Sequence, residues 1–230
     1  MRALLLDIEG TTTAIDFVHH VLFPHAIEHL EPWLVEHAAE GRVEDCLEAV
    51  RRTANAEGIF VTSMSEMASL LRRWMREDRK HPALKQLQGF VWREGYASGA
   101  FKGHLYPEVP RYLRAWKDAG LTLAIYSSGS VEAQELLFRH SEAGDLSALI
   151  SHHFDTTIGA KREPESYARI ASALGLPPAQ IAFLSDVEAE LDAASASGLG
   201  TTQIVRAGTT PGTRHVWAAD FSSVVLPSPS

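Results

Sequence analysis

The first apolar run of the chain, Ala3-Leu4-Leu5-Leu6, stops abruptly at Asp7, and a second acid, Glu9, precedes Gly10-Thr11-Thr12. A short continuous apolar run predicts a strand buried on both faces, as in a parallel sheet, whose carboxyl end opens into a loop. From Thr13 to about residue 100 the spacing becomes helical. Phe17, Val21 and Leu22 begin one apolar stripe, Pro24 interrupts or restarts it, and Ile27, Leu30 and Leu34 continue it. Val43, Leu47, Val50 and Ala54 form another. Ser63 and Glu66 stand at capping-box spacing ahead of Met67, Leu70, Leu71, Trp74 and Met75, and a further helix begins near Pro82 with Leu84, Leu87, Phe90 and Val91 on its inner face. With no alternating β-branched run among them, these four segments read as an all-helical insertion with Met67, Trp74 and Met75 in its core.

Near Tyr106 the pattern changes again. Val109, Leu113 and Trp116 predict a helix stopped by Gly120, and Leu121 to Tyr126 predicts a buried strand ending in Ser127-Ser128-Gly129-Ser130. Val131 to Phe138 reads as a helix, Ile150 to Thr157 as a short strand, and Pro164 to Leu174 as a helix closed by Gly175. Ile181 to Leu184 is a buried strand running into Ser185-Asp186, Ala189 to Ser197 a helix closed by Gly198, and Thr201 to Val205 another strand. The last residues, rich in Pro and Ser, read as a loosely held tail. Strands alternating with helices predict an α/β fold: a doubly wound parallel-sheet (Rossmann-like) core built from residues 1–15 and 101–230, with the helical domain 16–100 inserted.

Composition narrows the partners. The 230 residues, 45% of them hydrophobic, suffice for one substantial core and a smaller appended domain. A formal charge of -8 without any basic run argues against nucleic acid or an anionic membrane surface and favours a small-molecule substrate. Cys46 is the only cysteine and reads as a helix residue, so no internal disulfide forms. The N-terminal apolar run, broken by Asp7 and lacking a small-residue cleavage site, fits neither a signal peptide nor a membrane span. A cytoplasmic monomer is the expectation.

Three strands end in chemically useful groups: Asp7 and Glu9 after the first, Ser127 and Ser128 after the second, and Asp186 after a later one. Carboxyl ends of parallel strands share one edge of the sheet, where ligands bind. Lys161 lies in a loop on that edge and adds the one positive group. Taken singly, each residue has an ordinary reading: turn-forming serines, a solvated lysine, Asp186 as a helix N-cap. Jointly they suit phosphoryl transfer, in which a carboxylate attacks phosphorus once a hard cation has neutralised the phosphate oxygens. Asp7 is the expected nucleophile, forming an aspartyl-phosphate that water cleaves. Asp186 and Asp7 would hold Mg²⁺, Ser127 or Ser128 the phosphate oxygens, and Lys161 the remaining charge. Glu9 would protonate the leaving oxygen and then activate water.

With these residues in hand, the chain resembles the haloacid dehalogenase-like superfamily: an Asp-x-acid strand end, a Ser-rich second strand end, a loop Lys and a later acidic strand end. The helical stretch sits where that superfamily inserts a cap domain. Asp7-Ile8-Glu9-Gly10-Thr11-Thr12, Tyr126-Ser127-Ser128-Gly129-Ser130 and Phe183-Leu184-Ser185-Asp186-Val187, followed by Glu190-Leu191-Asp192-Ala193-Ala194, look more narrowly like its enolase-phosphatase branch of methionine salvage. Glu9, where most superfamily phosphatases carry Asp, is the most specific token, while Ser185 replaces the more usual Thr. The resemblance implies that a 2,3-diketo-5-methylthiopentyl 1-phosphate is enolised and then dephosphorylated to the dihydroxyketo-methylthiopentene. It implies Mg²⁺ on Asp7, Glu9 and Asp186, with Glu9 contributing its backbone carbonyl, and substrate contacts from Ser127, Ser128 and Lys161. Glu9 is the expected base for enolisation, and the cap is expected to shape the pocket for the methylthio tail, Phe17, His19 and His20 being candidates left outside the assigned site. A dehalogenase would not need Asp186, and a phospho-acceptor signalling module would lack the helical insertion. A phosphate-binding scaffold would have lost Asp7 or Asp186. Another capped phosphatase or a phosphomutase shares the core chemistry and differs in the cap.

Overall fold

The structure, a computed structural model, describes residues 1–226. All four residues of β1 (Ala3–Leu6) are buried, as expected of a central strand with apolar side chains on both faces. The chain divides into two compact units, one comprising Met1–Ile15 with the chain from Lys102 onward, the other Asp16–Phe101.

The second unit is helical. After the single turn α1 (Ile15–Phe17), residues Val18–Leu22 form a π-helical stretch in which the Phe23 N–H reaches back to the Val18 carbonyl. The wider register is explained by Pro24, which has no N–H to continue an ordinary ladder and sits in the first turn of α2 (Phe23–His37). Then come α3 (Gly41–Ala56), α4 (Met64–Arg76) and α5 (Pro82–Ser98). The Ser63–Glu66 capping box forms, each side chain accepting from the other residue's backbone N–H. Val43, Leu47, Val50 and Ala54 on α3 are buried, as are Met67, Leu70, Leu71, Trp74 and Met75 on α4 and Leu84, Leu87, Phe90 and Val91 on α5. Trp74 is 1% exposed, with the Arg79 guanidinium 3.9 Å from its ring centre. Trp74→Ala should therefore cost about 3–5 kcal/mol, read as a lower urea midpoint at unchanged slope.

The first unit carries α6 (Val109–Asp118), β2 (Thr122–Tyr126), α7 (Val131–Arg139), β3 (His152–Phe154), α8 (Pro164–Leu174), β4 (Ile181–Ser185), α9 (Glu188–Ala196), β5 (Gly200–Ile204) and β6 (Val216–Ala218). Among the described residues the strands form one six-stranded sheet of order β3-β2-β1-β4-β5-β6, and every pairing is parallel. Alternation puts Ala3, Leu5, Ala124, Tyr126, Ile181 and Phe183 into one core with Tyr167 and Ile170 of α8 and Leu191 and Ala194 of α9. The strand order reverses between β1 and β4, so the crevice that open α/β sheets offer to ligands opens beside Asp7 and Asp186. Two elements differ from the sequence pattern. β3 is only three residues long, because beyond Phe154 the chain turns: the Thr157 N–H donates to the Asp155 side chain at 2.9 Å and the Ile158 N–H to the Asp155 carbonyl at 3.2 Å. β6 lacks a sequence signal of its own, since Val216 and Trp217 are exposed on an edge strand and Ala218 alone is buried. The tail at 227–230 lies outside the described residues.

Candidate active site

β1 delivers Asp7 to the edge of the sheet, where its N–H still donates to Leu184 of β4 at 3.0 Å. The chain then turns tightly: the Ile8 carbonyl accepts the N–H groups of Thr11, Thr12 and Thr13 at 3.2, 2.9 and 2.9 Å, and the Gly10 N–H donates to Thr13 at 2.9 Å. Gly10 has φ +73°, and a Cβ there would stand 2.3 Å from Asp186 Oδ2, so both the backbone sign and the approach of the Asp186 carboxylate require glycine. Thr11 Oγ1 accepts the Asp186 N–H at 3.1 Å. The two loops that follow β1 and β4 are thus tied together directly behind the acids they carry.

Asp7 is 4% exposed. Its Oδ1 accepts the Ile8 N–H at 2.7 Å and Lys161 Nζ at 2.6 Å, and its Oδ2 lies 3.3 Å from Ser185 Oγ. Lys161 also contacts Glu190 Oε2 at 2.7 Å, and Ser185 Oγ lies 3.1 Å from that same carboxylate oxygen. Burial works against the lysine charge, but Asp7 and Glu190 outweigh it and hold its pKa above the ordinary value. Burial, then the charge of Asp7, pushes the Glu190 carboxyl above its usual range despite Lys161. The lysine is placed by its loop: Tyr126 Oη donates to the Gly159 carbonyl at 2.9 Å, Ser166 Oγ to Ala160 at 2.8 Å and Tyr167 Oη to Lys161 at 2.6 Å.

Asp186 is not the cap of the helix after it. Val187 occupies that position without a side-chain bond, and Asp186 Oδ1 is buried with no hydrogen-bond partner among the described residues. Its pKa is pushed up to about 6, by burial first and by the charge of Asp7 second. A buried carboxylate oxygen that finds no donor beside a second buried carboxylate is suited to a hard cation. Among the described residues no three His, Cys, Asp or Glu side chains gather as a ready-made cage. That donor set fits Mg²⁺, which takes one or two carboxylates and keeps several waters.

The serines occupy the neighbouring strand end, Leu6 pairing with Ile125 two residues before Ser127. Ser127 is buried and its Oγ accepts the Gly129 N–H at 3.2 Å, while Ser128 and Glu9 are half-buried. Asp7 and Lys161 are therefore in direct contact, and Asp186 is coupled electrostatically to Asp7, Lys161 and Glu9. Among the described residues, His19 and His20 are exposed. Residues to which the sequence assigned no role complete the surroundings: Glu190 against Lys161, Thr11 on the Asp186 N–H, and Gln203, whose Nε2 donates to the Asp186 carbonyl at 3.0 Å. For Glu190 a signal existed, since it lies one helical turn beyond Asp186.

A parallel sheet with this array along its carboxyl edge defines a class, and the chain belongs to it: the family of haloacid dehalogenase-like hydrolases, whose model matches residues 1–198. Similarity is much closer within that class. The chain is 52% identical to an Enolase-phosphatase E1 of Azotobacter vinelandii over 90% of each chain, and 48% identical to one of Pectobacterium carotovorum, covering 99% of this chain and 98% of that relative. Among solved structures, the Unknown transcript 4 protein of Saccharomyces cerevisiae is 31% identical with a TM-score of 0.81, covering 96% of this chain and 99% of the yeast chain.

Proposed function

We propose that this chain is a Mg²⁺-dependent enolase-phosphatase that converts 2,3-diketo-5-methylthiopentyl 1-phosphate to 1,2-dihydroxy-3-keto-5-methylthiopentene in methionine salvage. The carrying observation is the buried Asp7–Lys161 contact of 2.6 Å beside the unpartnered oxygen of Asp186. The Enolase-phosphatase E1 relatives support the choice of substrate.

In this reading Glu9 removes a proton from the phosphate-bearing carbon to form the enol. An Asp7 carboxylate oxygen then attacks phosphorus, the ester oxygen leaves with a proton from Glu9, and Glu9 next takes a proton from the water that cleaves the aspartyl-phosphate. Ser127 and Ser128 donate to the phosphate oxygens, and the charge that Lys161 holds near Asp7 offsets theirs. Asp7 and Asp186 through their side chains, and Glu9 through its backbone carbonyl, would hold Mg²⁺, which when bound neutralises phosphate charge and polarises a substrate carbonyl. The helical domain 16–100 acts as the cap that selects the methylthio tail. In this reading the enzyme works as a cytoplasmic monomer on a small molecule, and the net charge of -8 without a basic run supports a small substrate over a polyanionic partner. Among the described residues no helix is long and apolar enough to cross a membrane.

The test supplies the diketo phosphate with Mg²⁺ and follows ultraviolet absorbance of the enolic products together with free phosphate. Both signals are expected from the native chain and neither from Glu9→Gln. Normal enol formation in Glu9→Gln with phosphate release lost would remove Glu9 as the enolisation base. Phosphate release from simpler esters alone would leave a different capped phosphatase or a phosphomutase.

A further inference from the structure

Arg206, just past β5, is 9% exposed and takes no part in the chemistry above. Desolvating a guanidinium costs several kcal/mol unless its donors and charge are matched. Here Nη1 lies 2.6 Å from Glu108 Oε1. Nη2 and Nε donate to the Thr11 carbonyl at 2.8 and 3.3 Å, and the guanidinium carbon sits 3.8 Å from the centre of the Tyr106 ring. An ion pair that merely joined β5 to the start of α6 would need Glu108 alone. Two of the five N–H donors instead converge on one backbone carbonyl, and that carbonyl belongs to the turn carrying Glu9 and Gly10. Thr11 Oγ1 in turn accepts the Asp186 N–H. The same turn is held once more where the Tyr106 N–H donates to Thr12 at 3.0 Å.

We propose that Arg206 is a positioning residue: by gripping the Thr11 carbonyl it fixes the turn after β1 against Asp186, and so sets how Asp7 and Asp186 present their oxygens to the cation. The inference rests on the assignment of those two acids as the Mg²⁺ side-chain ligands. Lysine cannot replace the grip, because a point charge on a flexible stem cannot bond Glu108 and Thr11 together while lying flat on Tyr106. Residues that orient metal ligands typically change metal affinity or activity by about 10–100-fold when altered.

The experiment compares the native chain with R206K and E108Q, measuring Mg²⁺ affinity calorimetrically without substrate, kcat and KM on the diketo phosphate, and Tm. R206K should weaken Mg²⁺ binding and lower kcat by about 10–100-fold while KM stays within about threefold. E108Q leaves the Thr11 grip in place and should lower Tm with kcat and Mg²⁺ affinity within about threefold. Native Mg²⁺ affinity and kcat in R206K, or parallel losses in R206K and E108Q, would overturn the proposal in favour of a structural anchor. Should R206K fail to fold, T11V examines the same link by deleting only the acceptor of the Asp186 N–H, and unchanged Mg²⁺ affinity there overturns it too. If the native chain releases no phosphate from the substrate but R206K still weakens Mg²⁺ binding, the functional assignment fails and the positioning role stands.

Discussion

Asp7→Asn is expected to reduce phosphate release by about 10⁴-fold, or roughly 5.5 kcal/mol of transition-state stabilisation, while enol phosphate still accumulates. The substitution is close to isosteric, so the site should survive it. Its amide oxygen can keep the place of Oδ1, accepting from the Ile8 N–H and from Lys161, and its NH₂ can face Ser185 Oγ in place of Oδ2. Lys161 retains Glu190 as a counter-ion. What the amide cannot do is attack phosphorus, so the covalent step is lost without a general loss of structure. The measurement is the paired ultraviolet and phosphate assay, with the urea midpoint as the control for folding. Phosphate release above about one per cent of the native rate would assign the nucleophile elsewhere.

Much of the core was legible in the sequence because its constraints are local. A strand buried on both faces must be apolar throughout, so Ala3 to Leu6 and Ile181 to Leu184 announce themselves, and the first polar residue after each marks the edge where ligands bind. The capping box at Ser63 and Glu66 is likewise written within four residues. β6 is different. Two of its three residues face solvent, and its place beside β5 follows from register with Thr202, Gln203 and Ile204, which no local pattern encodes.

The candidate site divides in the same way. Asp7, Asp186 and the serines end strands, so topology alone gathers them. The partners that set their electrostatics come from helices and loops, where the sequence shows only another charged residue. Glu188 and Glu190 both fall within one helical turn of Asp186, a spacing that brings either near the site without choosing between them, yet Glu190 is buried against Lys161 and Ser185 and Glu188 pairs with Arg214 near the surface. Position on the helix decides the difference: Glu190 points toward Asp7 from the first turn of α9. Arg206 is hidden for a similar reason, its partners Thr11 and Glu108 being 195 and 98 positions away in the chain.

Lys161→Met is the variant expected to damage fold and function together. The lysine side chain is 11% exposed and is shared by two buried acids, so its loss leaves Asp7 and Glu190 facing each other across Ser185 without a cation. Removing one partner of a buried ion pair costs about 3–5 kcal/mol, and loss of the charge that offsets the phosphate oxygens should lower phosphate release by about 10³-fold. The pH dependence separates this from simple loss of packing. In the native chain the folded-state pKa of Lys161 lies above its unfolded value, so its contribution is complete below the unfolded pKa of about 10.4 and is lost only as pH rises through the folded pKa. Between about pH 5 and 8 it is constant. Glu190 has the same sign in a lower window: a carboxyl pKa raised by folding means that the folded state binds the proton more tightly, so the penalty of burying its charge is absent below the unfolded pKa and accumulates as pH rises to the raised value. Without Lys161 that penalty is unopposed. Unfolding of Lys161→Met with a chelator present should therefore show destabilisation relative to the native chain that is largest near pH 8 and shrinks toward pH 5. A difference that stays constant across this range would mean that Glu190 and Asp7 do not share the lysine charge as the geometry requires.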